Sequence, residues 1–459
     1  MTRPTVARVD LAAIESNFHA ISAFLAAPLT RTSHVAGRTP DAADRIPDSA
    51  DRIPHAAVRT PDAAPRAQEA PPRIIAVVKA NAYGHGAVPV GLALERAGAA
   101  MLACADIEEG VVLRRGSVRI PILVFGALGI SDLEGVFEYG LTPTISTPSA
   151  ARALAAKARG LTPAVRTTGV RPRSSDYTHS SGTPGDGVRP RSSDYTLSGR
   201  SAANGVRPRT LGYHLKIDTG MNRLGFRHDN LDRTLPELAA SADLEVEAVY
   251  THFATADDPE STHFSLQRER FEHALHTLDA LGLKPRYRHA ANSAALLRDE
   301  RTWYDFVRPG LLLYGVVPPP LASTLPLRPA LSLHSRIVHV KGIRPGEATG
   351  YGLKTPFSEP ATVAVVPAGY ADGLDRRLAG NGQMLVRGRR APIVGSVCMD
   401  MTMIDVTGMD VSPGDEVVIV GEQERESIGV REMAAAIGTI PYELLCRVGS
   451  RIERVYDNP

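Results

Sequence analysis

The sequence predicts an α/β protein: a (β/α)8 barrel of the TIM type followed by a smaller, mostly β C-terminal domain. From residue 74 to about 317, short apolar runs alternate with amphipathic helical stretches, which is the pattern of parallel strands joined by helices. After Pro318-Pro319-Pro320 the pattern changes to short β-type runs separated by Gly, Pro and Asp turns. We therefore place the barrel domain in residues 1–325 and the β-rich domain in residues 326–459.

Eight short apolar runs predict the barrel strands, at 74–78, 101–104, 121–124, 141–145, 212–217, 246–250, 286–289 and 311–314. Helical periodicity predicts the intervening helices, for example at 87–98, 147–159 and 262–282. An amphipathic helix at 11–25 precedes the barrel, and Asp10 is placed to cap it. The second domain is predicted to hold strands at 331–340, 362–367, 383–386, 392–396, 402–406 and 416–420.

Two low-complexity insertions interrupt the barrel pattern. Residues 30–71 repeat with a period of seven, and a proline in each unit excludes a coiled coil. Residues 163–210 repeat Gly-Val-Arg-Pro-Arg every eighteen residues. The first is predicted to be mostly disordered, and the second is predicted to be an expanded repeat tolerated in a surface loop. Each precedes a barrel strand, so each should emerge at the N-terminal face of the barrel, away from catalysis.

Composition excludes several classes of protein. Lys and Arg total 52 against 50 Asp and Glu, so no polyanionic partner is implied, although the basic repeats with Tyr177 and Tyr195 leave nucleic-acid binding as a minor alternative. The three cysteines are widely spaced, which supports neither a disulfide framework nor a zinc site. Asp10 and Glu15 argue against a signal peptide, and no apolar run approaches the ~18 residues of a membrane span. We predict a cytoplasmic protein without metal, nucleic-acid or membrane partners.

The apolar run at 74–78 ends at Lys79, and a glycine-rich turn follows. In α/β barrels the carboxyl ends of the strands carry the chemistry. A lysine amine there can condense with a carbonyl, and pyridoxal 5'-phosphate is the commonest such cofactor. On this pattern alone, a lysine that merely solvates a strand end is an equally good explanation.

The segment Val78–Gly86, Val-Lys-Ala-Asn-Ala-Tyr-Gly-His-Gly, resembles the cofactor-lysine signature of bacterial alanine racemases, and further matches continue to Tyr442. The resemblance covers the chain except for the two insertions and a few terminal residues. It implies a pyridoxal-phosphate enzyme of fold type III that interconverts L- and D-alanine and supplies D-alanine for peptidoglycan. It also implies a homodimer with active sites shared across the interface, in which the β-rich domain, with the N-terminal strand, docks on the partner's barrel.

Racemisation requires two acid/base groups, one on each face of the cofactor plane. Lys79 can serve one face if its pKa is well below ~10.4. Tyr351, in Ala-Thr-Gly-Tyr-Gly, resembles the family's second catalytic base, which comes from the partner subunit. Without the resemblance, Tyr351 would be taken for an aromatic residue flanking a turn. His252 matches a family histidine near that tyrosine.

Three further cations are implied by the resemblance. Arg223 corresponds to the arginine near the cofactor phenolate and the substrate carboxylate. Its planar guanidinium suits binding of a carboxylate through two N–H groups. Lys216 corresponds to a lysine that is carbamylated in several members, where the carbamate holds that arginine; the sequence leaves an unmodified lysine open. Arg308 corresponds to the arginine facing the pyridine nitrogen of the cofactor. An arginine cannot hand a proton to that nitrogen, and the resemblance implies that this limits side reactions of the carbanion formed when the substrate loses its α-proton.

The remaining family matches divide into two groups. The implied cofactor-phosphate ligands are uncharged, namely Tyr83, Asn292, Ser293, the Gly310 and Leu311 backbone, and Tyr442. Asn292 is equally suited to cap a helix. The implied substrate-end residues are Met399, Asp400 and Tyr370, of which Tyr370 would narrow the entrance.

Three alternatives remain open at this point. One is a racemase of the same fold that prefers another amino acid, such as serine. Another is a decarboxylase on a related barrel. The third is a non-catalytic pyridoxal-phosphate carrier of the related single-domain barrel type, which would lack the second domain. Residues 330–459, with Tyr351 in its motif, favour the racemase over the carrier.

Overall fold

The structure is a computed structural model that describes residues 4–27, 70–128, 133–160 and 210–457. Apart from residues 70, 71 and 210, the two predicted insertions lie outside the described residues. Within the described ranges, no helix is long and apolar enough to cross a membrane.

Eight parallel strands close a barrel, which confirms the predicted fold class. The chain begins with β1 (Val6–Asp10), which lies outside the barrel. The barrel strands, with the two-residue β7 beside β6, are β2 (Arg73–Val77), β3 (Met101–Cys104), β4 (Ile122–Val124), β5 (Thr142–Ile145), β6 (Leu211–Asp218), β7 (Phe226–Arg227), β8 (Leu244–Tyr250), β9 (Tyr287–Asn292) and β10 (Phe306–Arg308). The barrel closes because β5 pairs with β6 and β10 pairs with β2.

The prediction of the eighth strand at 311–314 is wrong. The eighth strand is Phe306–Arg308, and Leu311–Tyr314 form a buried 3₁₀ turn. A short apolar run is buried in either conformation, so its periodicity does not distinguish a strand from a turn. The true strand has only three residues and ends in an arginine, which hides it from a search for apolar runs.

Helices cover the outside of the barrel. They are α1 (Leu11–Ala26), α3 (Ala87–Ala97), α4 (Ile107–Arg115), α5 (Glu134–Glu138), α6 (Pro148–Gly160), α7 (Leu231–Thr234), α8 (Pro236–Ala239), α9 (His263–Ala280) and α10 (Ser293–Arg298). The short segment α2 (Lys79–Tyr83) instead follows β2 at the carboxyl end of the barrel and is left-handed from Ala80 onward. The predicted helices at 11–25, 87–98, 147–159 and 262–282 are confirmed to within two residues. The predicted cap is also confirmed, because Asp10 Oδ1 accepts a hydrogen bond from the backbone N–H of Ala13 at 2.7 Å.

The C-terminal part of the chain forms a separate, mostly antiparallel sheet. Its elements are β11 (Leu331–Arg336), β12 (His339–Ile343), β13 (Ala361–Val366), β14 (Gln383–Val386), β15 (Arg389–Val394), β16 (Thr402–Asp405), β17 (Glu416–Gln423), β18 (Glu426–Ile428), α11 (Val430–Ala436), α12 (Pro441–Cys446) and β19 (Glu453–Asp457). The single strand predicted at 331–340 is thus two strands, β11 and β12. Strand β1 joins this sheet between β11 and β19, as the resemblance implied.

Helix α12 brings the second domain against the lysine segment of the barrel. Gly84 has φ +80°, and a Cβ there would stand 2.1 Å from the carbonyl oxygen of Leu445. Only glycine permits both the left-handed conformation and this close approach. The Gly84 carbonyl also accepts a hydrogen bond from Arg454 Nε at 2.7 Å. The lysine turn is therefore fixed by both domains.

Candidate active site

The barrel residues singled out in the sequence gather at the carboxyl end of the strands. Lys79 follows β2, and Lys216 lies near the end of β6. The others lie at or just after the ends of β6, β8, β9 and β10, and they are Arg223, His252, Asn292, Ser293 and Arg308. This is the end of a TIM-type barrel at which active sites are built.

The segment after Lys79 is a left-handed turn made by residues other than glycine. Ala80, Asn81, Ala82 and Tyr83 have φ between 52° and 53°. Each such residue costs about 1–2 kcal/mol relative to the right-handed conformation. Four in succession persist only where the surroundings hold them, and strain of this kind concentrates at functional sites.

Hydrogen bonds within the motif hold this left-handed turn. Asn81 Oδ1 accepts from the backbone N–H of Ala87 at 2.7 Å. The His85 ring contacts the carbonyl oxygens of Ala82 at 3.0 Å and Tyr83 at 2.9 Å through Nδ1. Carbonyl oxygens only accept, so Nδ1 carries the proton. Burial lowers the pKa of His85 to about 4, so the ring is neutral near pH 7.

The environment of the Lys79 amine lowers its pKa. Burial among the surrounding side chains is the main cause that lowers its pKa, and the positive charge of Arg223 adds to it. Cys446 and Glu109 act in the opposite direction. In the single chain Lys79 still reaches solvent, so the site is open on one side. A lowered pKa is what an amine requires to act as a base near neutral pH.

Arg308 is buried and held by fixed acceptors. Its Nη1 contacts His289 Nδ1 at 2.7 Å, and its Nη2 donates to the carbonyl oxygens of Thr251 and Ala290, both at 2.8 Å. The longer contact of Nη2 with His252 Nδ1 is 3.3 Å. Burial lowers the pKa of Arg308 to about 10, which leaves the guanidinium charged at neutral pH.

Lys216 is buried beside two cations. Burial is the main cause that lowers its pKa to about 8, and the charges of Arg223 and Arg308 lower it further. Its amine stands 5.6 Å from the centre of the Tyr250 ring. A substantial fraction of neutral amine is therefore present near pH 7 to 8.

A small uncharged cradle lies between β9, β10 and the lysine turn. Ser293 Oγ accepts from the backbone N–H of Gly310 at 2.9 Å, and a Cβ on Gly310 would stand 2.4 Å from the Tyr83 hydroxyl oxygen. The Tyr83 ring lies 5.8 Å from that of Tyr442, on α12. Asn292 caps α10, since its side chain accepts from Ala295 N–H at 2.9 Å. Leu311 begins the 3₁₀ turn after Gly310.

The other predicted residues of the second domain, apart from Tyr442, lie on its exposed surface. Exposed fractions are 77% for Tyr351, 51% for Met399 and 42% for Tyr370. Asp400 is exposed and accepts from Arg451 Nη2 at 2.6 Å. Within the described part of the chain, no hydrogen bond joins the side chain of Tyr351 to the barrel residues. Within one chain, the predicted barrel residues and Tyr442 therefore lie together in the candidate site. The remaining predicted residues lie outside that site, and they are Tyr351, Met399, Asp400 and Tyr370.

Some residues that shape the site were not singled out in the sequence. His289 and His214 extend the Arg308 contacts into the barrel, and Glu109 binds the N–H that follows Lys79. A signal existed for Glu109, because Asp106-x-x-Glu109 directly after a strand is typical of a helix N-terminus. No pattern in the sequence pairs the two histidines. Among the described residues, no group of three or more His, Cys, Asp or Glu side chains is placed to bind a metal ion.

A parallel eight-stranded barrel with a lysine amine at its carboxyl end, joined to a β-rich domain, defines a two-domain barrel enzyme. The alanine racemase N-terminal domain family matches residues 60–168 and 195–318, and the alanine racemase C-terminal domain family matches residues 330–456. The chain belongs to the alanine racemase family and is a racemase, as the sequence resemblance predicted.

Similar proteins agree with this assignment over more than four fifths of the chain. The alanine racemase of Symbiobacterium thermophilum is 39% identical over 386 residues, which are 84% of this chain and 90% of that protein. The alanine racemase of Desulforamulus reducens is 38% identical over 83% of this chain and 91% of its own length. The structure of alanine racemase from Bacillus anthracis, solved with bound L-Ala-P, has a TM-score of 0.74 and 31% identity, and the match covers 100% of this chain and 96% of that one.

Proposed function

We propose that the protein interconverts L-alanine and D-alanine with pyridoxal 5'-phosphate as its cofactor. Lys79 and Tyr351 are the two acid/base groups, one on each face of the cofactor. The observation that carries the proposal is the position of the Lys79 amine, with its lowered pKa, at the catalytic end of the barrel. The family membership reported above supports alanine as the substrate.

The residues present fit the cofactor. The cradle at Tyr83, Ser293 and Gly310 offers hydroxyl groups and a backbone N–H, which suit a phosphate group. Tyr442 lies beside it on α12, and Asn292 fixes the start of α10. The absence of a Cβ at Gly310 leaves room for the Tyr83 hydroxyl. These residues, with the Leu311 backbone, would hold the phosphate end of the cofactor.

When bound, the cofactor supplies an electron-withdrawing ring that makes the α-proton of an amino acid removable. Lys79 takes or returns that proton at its amine on one face, because its lowered pKa makes the neutral form accessible. Arg223 would bind the substrate carboxylate through its planar fork. Arg308 keeps its protons, since its pKa is about 10, and would hold the ring end of the cofactor as a hydrogen-bond donor without protonating it. His252 would lie beside it and hold this end of the site.

Tyr351 must come from another subunit for this mechanism to work. We propose a homodimer in which the β-rich domain of each chain docks on the barrel of its partner. Tyr351, Met399 and Tyr370 are large apolar or aromatic side chains that are exposed in the single chain, which is typical of an unpaired interface. Asp400 and Met399 would then line the substrate end of the partner's site, and Tyr370 would narrow its entrance. The open side of the Lys79 site is consistent with this arrangement.

We also propose that Lys216 carries a carbamate. Carbon dioxide reacts with a neutral amine, and the lowered pKa of Lys216 provides one. The product is an anion beside Arg223 and Arg308, so the modification would replace a repulsive group with an attractive one. A mass increase on the peptide that contains Lys216, measured under native conditions, tests this.

The biological role follows from the reaction. We propose that the D-alanine is used for peptidoglycan and that the reaction takes place in the cytoplasm. We propose that the enzyme prefers alanine over serine.

The test is the conversion of D-alanine to L-alanine by the purified protein with pyridoxal phosphate, followed by circular dichroism. Serine is assayed in parallel. The variants Lys79→Ala and Tyr351→Phe are expected to lose conversion in both directions. Cofactor binding without conversion of either amino acid would reject the racemase and favour the carrier or the decarboxylase. Faster conversion of serine would reassign the substrate.

A further inference from the structure

Glu109 connects the ends of two neighbouring barrel strands. Its Oε1 accepts from the backbone N–H of Ala80 at 2.7 Å, and its Oε2 accepts from the backbone N–H of Ala105 at 2.7 Å. Ala80 follows β2 and Ala105 follows β3, which are paired in the barrel through Val77 and Ala103. One carboxylate therefore bridges two backbone segments that leave the sheet side by side.

Helix capping does not account for this side chain. The N-terminus of α4 is already capped by Asp106, whose Oδ1 accepts from the backbone N–H of Glu109 at 2.9 Å. In a capping box the glutamate would bind the N–H of the cap residue itself. Glu109 instead binds the N–H of the preceding residue, Ala105, and reaches across to Ala80. The Oε1 atom of Glu109 thus serves the lysine turn and not the helix.

The Ala80 N–H belongs to the peptide that joins Lys79 to the left-handed turn. The turn begins at Ala80 with φ 52°, so the direction of that peptide sets the direction in which the Lys79 side chain leaves the backbone. The turn is strained, and a strained segment keeps its conformation only where fixed contacts hold it. Charge-assisted hydrogen bonds to a carboxylate are about twice as strong as neutral ones. Glu109 holds the first N–H of the turn, while Asn81 and His85 hold its later part.

We propose that Glu109 is a positioning residue for Lys79: its carboxylate clamps the Lys79–Ala80 peptide to the end of β3 and so fixes the approach of the amine to the reacting centre. This inference rests on the proposed function, in which Lys79 is an acid/base group. A misplacement of about 1 Å costs up to about 100-fold in rate. Glu109 also contributes a negative charge near the amine, which opposes the effects of burial and Arg223 on its pKa.

Three variants separate geometry from charge. Glu109→Gln keeps the size but has one accepting oxygen, so it can satisfy only one of the two N–H groups. Glu109→Asp keeps the charge but is one methylene shorter, so it cannot reach both. Glu108→Gln is the matched control, since Glu108 is the neighbouring exposed glutamate on the same helix. Circular dichroism and urea unfolding establish that each variant is folded before it is compared.

The first measurement needs neither cofactor nor substrate. In the cofactor-free protein, competitive acetylation across a pH series, read by peptide mass spectrometry, gives the pKa of the Lys79 amine. Glu109→Gln is expected to lower that pKa relative to the wild type, because the removed charge favoured the protonated amine. Glu108→Gln is expected to leave it unchanged. Equal results for the two glutamine variants would overturn the proposed contact between Glu109 and the lysine turn.

The second measurement is steady-state racemisation of alanine. Glu109→Gln and Glu109→Asp are both expected to lower kcat by about tenfold with KM changed less than about twofold, because positioning acts on the reacting amine and not on substrate binding. Wild-type kcat in Glu109→Asp would overturn the clamp. A loss of stability with unchanged kcat and unchanged Lys79 pKa would assign Glu109 a structural role only. If the wild type does not racemise alanine, the proposed function fails, while the acetylation comparison still tests whether the Glu109 carboxylate lies beside the lysine turn.

Discussion

Arg308 determines which nitrogen of His289 carries a proton. Its Nη1 lies 2.7 Å from His289 Nδ1, and a guanidinium can only donate, so Nδ1 is the acceptor. The proton of the neutral ring is therefore on Nε2, which donates to His214 Nδ1 at 3.0 Å. The His289 ring also stacks on Tyr250 at 4.7 Å. A directed row of hydrogen bonds thus connects the site arginine to the interior of the barrel.

Replacement of Arg308 is expected to destabilise the fold as well as the site. Arg308→Ala leaves the His289 nitrogen and the Thr251 and Ala290 carbonyls buried without donors, which we expect to cost about 3 kcal/mol of unfolding free energy. Arg308→Lys keeps the charge but cannot reach all three acceptors, so an intermediate loss is expected. Urea unfolding measures both. Arg336→Lys, at an exposed arginine, is the control, and an equal loss there would contradict the role of the acceptors.

Acid is expected to destabilise the protein through its buried histidines. Burial lowers the pKa of His85 to about 4 and that of His214 to about 3, below the value of about 6.5 in an unfolded chain. As the pH falls below about 6.5 the unfolded chain therefore takes up protons first, and the free energy of unfolding decreases. Around pH 5 each histidine contributes a slope approaching about 1.4 kcal/mol per pH unit.

The contribution of one histidine can be isolated. His85→Asn removes one of these groups, so the slope of unfolding free energy against pH between about 5.5 and 4.5 should fall by about 1.2 kcal/mol per unit. His19→Asn, at an exposed histidine of α1, should leave the slope unchanged. Urea unfolding at a series of pH values gives the slopes. An unchanged slope in His85→Asn would show that the ring is protonated in the folded protein.

Glycine is expected to have opposite effects in the left-handed turn and in a right-handed helix. Ala80 has φ 52°, so Ala80→Gly relieves about 1–2 kcal/mol of strain and costs about 0.5–1 kcal/mol of chain entropy, a net stabilisation of about 0.5 kcal/mol. Ala20→Gly, inside α1, should destabilise by about 1 kcal/mol. Urea unfolding measures both changes. Destabilisation by both variants would contradict the left-handed conformation at Ala80.

A methyl group at Gly310 is expected to weaken cofactor binding. Its Cβ would stand 2.4 Å from the Tyr83 hydroxyl oxygen, so Tyr83 must leave the cradle. We expect Gly310→Ala to raise the dissociation constant of pyridoxal phosphate by about tenfold, the effect of about 1.4 kcal/mol. Absorbance titration of the cofactor-free protein measures this. Gly429→Ala has no atom within 4 Å of the new Cβ and serves as the control. Equal affinity in both would place the phosphate elsewhere.

Mixed dimers test whether the active site is shared. In a dimer of Lys79→Ala with Tyr351→Phe, one site carries both changes and the other carries neither if the two residues come from different chains. An equimolar mixture that exchanges subunits should therefore recover about a quarter of the wild-type activity per chain. Each variant alone is expected to be inactive. No recovery, with mixed dimers demonstrated by a tag on one variant, would mean that both residues act within one chain.

Sequence reasoning predicted the barrel because its signals are local. Alternating apolar runs and helical stripes determine the element types, and most predicted elements lie within two residues of the observed ones. It failed at 311–314, where Leu311–Tyr314 form a turn and the strand is Phe306–Arg308. Both segments are buried, but only Leu311–Tyr314 is a continuous apolar run, and the strand is recognised only by the pairing of Phe306 with β2 and β9.

The candidate site was likewise predicted only in part from the sequence. The sequence by itself determined the lysine after β2, the motif residues at the ends of later strands and the presence of a second domain, because each is a property of a short stretch of chain. Only the tertiary structure placed Glu109 on the Ala80 N–H and His289 between Arg308 and His214. It also gave the distance of 5.8 Å between the rings of Tyr83 and Tyr442, which the resemblance implied only as ligands of the same phosphate. It also left Tyr351 exposed on the surface of the second domain. These relationships join residues that are distant in the chain, and they form only when the barrel strands pair and α12 of the second domain packs against the lysine turn.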